Sequence, residues 1–304
     1  MPSLRGRLFN FYIRRFVRRR FGLDAEKAAK KARQIWGAPK FSQWLHSRNI
    51  NIKIVGENAV NGEWLETDNA EQNVILYIHG GGFISCSAKT HRPISATLAR
   101  KTNLRVFSLK YRLAPEHPFP AAFDDVFNAY KWLTETQEIP PSKIALAGDS
   151  AGGGLALSLL LKLRDENLPL PACAVCFSPW TDMKGTGESN RANAELDYMF
   201  CPENINEFSR AYLGDASPEN VFASPVFGEF NDLPPILFHV GSTEMLLDDS
   251  KRIHEKVQAI GGASELKIYD RIFHCWQMGI GLIPEADDSL KNAAEFIRRH
   301  ISKI

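Results

Sequence analysis

Apolar positions along this chain fall into short runs separated by longer amphipathic stretches. The short runs are "NVILYIHG" (73–80), "LRVFSLKY" (104–111), "KIALAGDS" (143–150), "ACAVCFSP" (172–179), "PILFHVGS" (235–242) and "SELKIYDR" (264–271). Apolar runs of this length, bounded by turn residues, read as strands. Most are nearly continuous rather than alternating, the mark of strands buried on both faces. Ahead of them, "RNINIKIVGE" (48–57) and "GEWLETD" (62–68) predict an opening antiparallel pair. Helical patterns lie near 89–102, 119–136, 151–167, 248–260 and 286–302. Strands alternating with helices predict a mostly parallel sheet with helices on both faces. The helix after Ser150 carries Leu155, Ala156, Leu157, Leu159, Leu160, Leu161 and Leu163. It is apolar on most sides, as a central helix would be.

Two stretches break this rhythm, residues 1 to about 45 and about 181 to 230. A long interruption between strands is usually a lid or a separate structural layer. The expected arrangement is one α/β domain over 1–304, with these two stretches as a cap over the carboxyl ends of the strands. Ligands bind at that edge in open α/β sheets.

Charge changes the picture in one place. A net charge of only +2 over 304 residues indicates no nucleic-acid surface. Yet seven arginines precede the first acid, Asp24, and Leu8, Phe9, Phe11, Tyr12, Phe16 and Phe21 recur among them at helical intervals. Two readings are open: a helix on a membrane surface, or a terminal helix packed on the body with its arginines in water. The stretch lacks the uninterrupted apolar core of a signal peptide, and no window reaches the ~20 apolar residues that span a bilayer. The five cysteines are odd in number in a large chain, which argues against a disulfide framework. Cys173 and Cys176 share a strand, where residues three apart face opposite sides, a poor metal clip. Core thiols in a reducing, cytoplasmic compartment are expected.

The candidate chemistry centres on "GDSAGG". Ser150 lies in a Gly-x-Ser-x-Gly pattern between a predicted strand and a predicted helix. Gly148 and Gly152 remove side chains where such a bend is tightest, leaving the serine oxygen at the sheet's edge. Amides opening the following helix favour negative charge at the same place. The bland alternative is a serine that only caps that helix. In "YIHGGGFISC", His79 and three glycines follow a strand, and their bare amides suit a tetrahedral oxyanion. The alternatives for that run are a flexible loop or a phosphate nest, but neither a P-loop nor a dinucleotide fingerprint is present. A base should follow the last strand, in the order serine, acid, histidine. His274, opening the loop "HCWQMG", is the late histidine on a loop after a strand. His91 and His117 come too early, His46, His254 and His300 fall in helical or terminal stretches, and His239 reads as a core residue.

Together these residues resemble the hormone-sensitive-lipase-like family of α/β-hydrolases, bacterial lipolytic family IV. "HGGGF" resembles the oxyanion motif, "GDSAGG" the nucleophile elbow, "YRLAPEHPFPAAFDD" the signature segment between them, and "FSPWTDM" the stretch leading into the cap. The resemblance spans the chain from about residue 40 onward. It implies an α/β-hydrolase fold, a mostly parallel eight-stranded sheet with helices on both faces and a helical cap. It implies a serine carboxylesterase acting on small-molecule esters of short to medium acyl chain, with no cofactor or metal. The oxyanion donors would be the amides of Gly81, Gly82 and Ala151, with His79 shaping the loop.

The third triad member departs from the pattern. Members usually carry Asp-Pro-Leu about thirty residues before the histidine. Counting back from His274 reaches Glu244, with Met245 in the proline's place. Glu can orient an imidazole as Asp does. Asp248, one helical turn on, is the rival acid, with helix capping as its other role. "HCW" also stands where "HGF" is commoner. An amidase or lactone hydrolase would use the same triad, and some proteins of this fold bind small molecules without turnover, typically with a triad residue replaced. Members of the family often dimerise through the last strand, and "ASELKIYD" offers such an edge.

Overall fold

The computed structural model describes residues 1–18, 24–57 and 60–301. Arg19, Arg20 and Phe21 of the basic start lie outside the described residues. The strands are β1 (Asn51–Glu57), β2 (Val60–Glu66), β3 (Glu71–Ile78), β4 (Leu104–Leu109), β5 (Ile144–Asp149), β6 (Cys173–Phe177), β7 (Ile236–Gly241) and β8 (Ser264–Tyr269). The helices are α1 (Leu4–Tyr12), α2 (Ala25–Ile35), α3 (Lys40–Ser47), α4 (Arg92–Thr102), α5 (Ala121–Lys131), α6 (Ala151–Asp165), α7 (Ser189–Ala192), α8 (Pro202–Leu213), α9 (Leu247–Ala259) and α10 (Pro284–His300). The strands form one sheet in the order β1-β2-β4-β3-β5-β6-β7-β8. β2 runs antiparallel to β1 and β4, and the remaining neighbours are parallel. The opening antiparallel pair and the α/β-hydrolase fold expected from the sequence are both present.

Successive side chains of a strand face opposite sides, so each central strand feeds two cores. Val74, Leu76 and Ile78 of β3 pack with Leu146, Cys176 and Phe238 beneath α5, α6 and α9. Ile75 and Tyr77 pack with Ala145, Cys173 and Val175 against Ile94 and Leu98 of α4 and Leu290 and Phe296 of α10. Cys173 and Cys176 thus lie on opposite faces, and all five cysteines are free thiols. Residues Ala151 to Leu161 of α6 are all buried, as expected of a central helix. The expected helix over 119–136 is α5 followed by a wider turn over 132–136, so the helical path ends in looser bonding.

The two interrupting stretches meet over the carboxyl edge of the sheet. Asn10 of α1 donates to the carbonyl of Arg271 and accepts from the amide of Phe273, which fixes α1 beside the loop after β8. Trp36, just after α2, meets Phe200 and Phe208 edge-on at 5.8 and 5.3 Å. Tyr212 of α8 stacks on Phe83, in the loop after β3, at 3.6 Å. Below them the chain order reverses. β3 is flanked by β4 on one side and β5 on the other. This switch point is where loops diverge and leave a crevice.

Candidate active site

Ser150 sits at the floor of that crevice. β5 ends at Asp149 and α6 begins at Ala151, so one residue makes the whole turn. It does so at φ 51° and ψ −120°, a conformation that costs a non-glycine residue roughly 1–3 kcal/mol. The surroundings hold it there. Its amide donates to the Phe177 carbonyl at 2.8 Å, and its carbonyl accepts from the amides of Gly154 (3.1 Å) and Trp180 (2.9 Å). Its side chain makes no capping bond to the helix, so the capping role is not what occupies the hydroxyl. Gly152 is required because a Cβ there would stand 2.0 Å from the Ile78 carbonyl oxygen. That contact joins the start of α6 to the end of β3.

His274 and Glu244 come from the loops after β8 and β7. Nδ1 of His274 donates to Oε2 of Glu244 at 2.6 Å, with both side chains almost wholly buried. The other carboxylate oxygen, Oε1, accepts from Ser178 Oγ at 2.7 Å and from the Gly241 amide at 2.6 Å. With Nδ1 committed as donor, neutral His274 presents Nε2 as an acceptor. Nε2 has no hydrogen-bond partner among the described residues. Burial presses the His274 pKa down, but the carboxylate of Glu244, with Asp197 and Asp149 behind it, raises it above the ordinary value.

Asp248 is engaged elsewhere. Its Oδ2 accepts from the Ser189 amide at 2.8 Å, and its own amide donates to Ser189 Oγ at 2.9 Å. These reciprocal bonds tie α7 to the start of α9, a capping task. His239 is a core residue as expected, with Nδ1 on Ser289 Oγ and Nε2 on Asn292 Oδ1. His254 bonds Ser264.

Asp149, the residue before the serine, carries a role the sequence did not suggest. Its Oδ1 accepts from Tyr77 Oη at 2.6 Å and from the Gly80 amide at 3.0 Å. Its Oδ2 accepts from His91 Nε2 at 3.2 Å and from the Cys275 thiol at 3.5 Å. Burial alone would raise its pKa, but His91 and the Tyr77 hydroxyl hold it down to about 2. One buried carboxylate therefore joins the serine turn to the glycine loop after β3. In that loop His79 stacks on Tyr111 at 4.2 Å. Gly81, at φ +115°, admits no side chain, since a Cβ would lie 2.3 Å from the Ser85 carbonyl. Ala151, the first residue of α6, carries one of the amides that a helix start leaves without an intrahelical partner.

Above these groups opens a cavity of about 630 Å³. Gly81, Gly82, Ser150 and His274 line its floor. Its walls are Phe9, Tyr12 and Ile13 from the N-terminal stretch, Trp36, and Met199 and Phe200 from the second interrupting stretch. An apolar cleft of this size with a few convergent polar groups is the usual form of a small-molecule site. No local pattern marks a role for Asp197, and Ser178 is marked only by lying in "FSPWTDM". The one hint of Asp149 is a charged residue ending an otherwise apolar strand.

Comparison with known proteins agrees with this architecture. Residues 75–278 match the model of a family described as having the alpha/beta hydrolase fold. The chain is 37% identical over 248 residues to an esterase of Acinetobacter venetianus, covering 81% of this chain and 82% of that one. It is 36% identical over 236 residues to an acetyl-hydrolase of Streptomyces hygroscopicus, covering 78% and 79%. Among solved structures, an esterase from the bacterial hormone-sensitive lipase family superposes with a TM-score of 0.88 at 35% identity, covering 99% of this chain and all of that one. The chain belongs to the α/β-hydrolase fold family and, within it, to the hormone-sensitive-lipase-like carboxylic ester hydrolases.

Proposed function

We propose that the protein hydrolyses small carboxylic esters through a triad of Ser150, His274 and Glu244, with the amides of Gly81, Gly82 and Ala151 as oxyanion donors. The observation that carries this reading is the 2.6 Å bond from His274 Nδ1 to Glu244, which leaves Nε2 as the free basic atom lining the cavity that Ser150 also lines. Nε2 takes the serine proton as Oγ attacks the ester carbonyl. The oxyanion is met by the three amides, and Glu244 stabilises the imidazolium. The imidazolium protonates the departing alcohol and leaves an acyl-serine. A water then gives its proton to Nε2 and attacks the acyl carbon, freeing the acid and restoring the serine. Residues 1 to about 45 and about 181 to 230 act as a cap, since both supply walls of the cavity. A relative named acetyl-hydrolase favours short to medium acyl chains.

The test is hydrolysis of p-nitrophenyl acetate and butyrate by folded variants. Ser150→Ala and Glu244→Ala should lose roughly 10⁴-fold or more in kcat, while Asp248→Ala should stay within about ten-fold of wild type. Full activity in Ser150→Ala would overturn the mechanism. A larger loss in Asp248→Ala than in Glu244→Ala would reassign the acid.

A further inference from the structure

The mouth of the cavity carries a surface that ester hydrolysis in water does not require. On α1, Leu4, Leu8, Phe11 and Tyr12 recur at spacings of three and four and share one side of the helix. All four are exposed: Leu4 by 65% and Phe11 by 67%. The opposite side of α1, through Gly6 and Asn10, is the side that is buried. α3, which shares the lining of the cavity with α1, exposes Phe41 by 69% and Trp44 by 58%, their rings 5.8 Å apart. Leu282 is exposed as well. Leu8, Tyr12, Phe41 and Leu282 also line the cavity above Ser150, so this apolar surface is its rim.

The charged side chains of the two stretches that form the rim are of one sign, and the acids that meet them, Glu285 at Ser3 and Asp270 at the Met1 amino group, come from the body. Residues 1–18 and 35–50 contain Arg5, Arg7, Arg14, Arg15, Arg18, Lys40 and Arg48, and neither Asp nor Glu. Arg5, Arg7, Arg14 and Arg15 are exposed and make no salt bridge among the described residues. Arg48 lies over the Trp44 ring at 5.5 Å.

We infer that this rim docks on an anionic lipid surface, with the exposed aromatic and aliphatic side chains entering the headgroup region and the arginines meeting lipid phosphates. Two observations select lipid over other occupants. Exposed apolar side chains mixed with unpaired arginines match the two attractions of an interfacial helix, burial and charge. A second copy of this chain on a two-fold axis would set arginine against arginine. No helix among the described residues is long and apolar enough to cross a membrane. The cavity opens through the docked face, so an ester held in the lipid layer reaches Ser150 without crossing water. That last step rests on the proposed esterase mechanism. The docking does not.

The experiment is sedimentation of the full chain with vesicles of phosphatidylcholine alone or mixed with phosphatidylglycerol, at low and high salt. Two double variants avoid the cavity lining: Phe11→Ser with Trp44→Ser, and Arg7→Glu with Arg14→Glu. Wild type should partition to the anionic vesicles and much less to the neutral ones, and salt should weaken this as exposed charges are screened. Each double variant should partition roughly ten-fold less or weaker still, with kcat/KM for soluble p-nitrophenyl butyrate unchanged. Turnover of a p-nitrophenyl ester embedded in the vesicles should fall with partitioning. Absence of wild-type partitioning, or equal partitioning of both variants, would overturn the inference. So would a wild-type dimer that the variants abolish, since the face would then belong to a second copy. Partitioning is read without turnover, so an inactive protein that still binds vesicles would sink the esterase mechanism and leave the docking standing.

Discussion

At the scale of single residues, His274 is held between two opposing influences. Burial favours its neutral form, and the bonded carboxylate of Glu244 favours the cation and prevails. A base must be neutral to accept the serine proton, so activity should be lost as pH falls through the His274 pKa. The acid limb of kcat/KM should therefore centre above the ordinary value of about 6.5. Glu244→Gln leaves the burial and removes the charge, so its residual activity should show the limb moved to lower pH. A pH–rate profile of both proteins checks this, and an unmoved limb would mean that another group titrates. Ser150 and His274 were legible because the elbow and the late loop histidine each have a local signature and a fixed order. The choice between Glu244 and Asp248 was not, because both lie within one turn of the same loop and helix start. What separates them is which way each side chain points. Ser178 and His91 were illegible for a related reason: each acts across strands, on partners 66 and 58 positions away respectively.

Among the elements, the strands and their central helices could be read almost residue for residue, because burial on two faces writes an apolar run. The pieces over the carboxyl edge left only an interruption. Their contacts are aromatic edges and buried polar bonds that carry no period. The turn at Asp197 shows the difference. Its Oδ1 accepts from the amides of Met199 (2.7 Å) and Phe200 (2.9 Å), and its Oδ2 accepts from the Met245 amide at 2.8 Å. The carboxylate thus fastens the second interrupting stretch to the loop that carries Glu244. Phe200, placed by the same turn, lies 4.7 Å from the His274 ring. Asp197→Ala should lower kcat by about ten- to a hundred-fold in a folded protein, because small misplacements of a catalytic base are costly. The measurement is kcat on p-nitrophenyl butyrate beside near-ultraviolet circular dichroism. Wild-type kcat in a folded variant would show that the turn positions nothing.

Over the whole molecule, the reacting groups and the walls around them are anchored differently. Ser150, His274 and Glu244 are seated on strand ends, in loops pinned by buried bonds to the sheet. The wall formed by α1 rests on its seat chiefly through Ser3 on Glu285 and Asn10 on the chain at Arg271 and Phe273, with Phe9 lying along the Phe273 ring. Segments with few buried contacts open at lower free energy than the core. Warming should therefore loosen the grip on the acyl tail before it disturbs the bond-breaking groups. Acetate, which needs little wall, should keep its turnover, while KM for butyrate and hexanoate should rise. The ratio of kcat/KM for p-nitrophenyl hexanoate to that for acetate, followed up to the onset of unfolding, would show this, and a constant ratio would refute it. On this reading selectivity is a property with its own melting curve: the enzyme becomes less discriminating while it is still, by every measure of its sheet, folded.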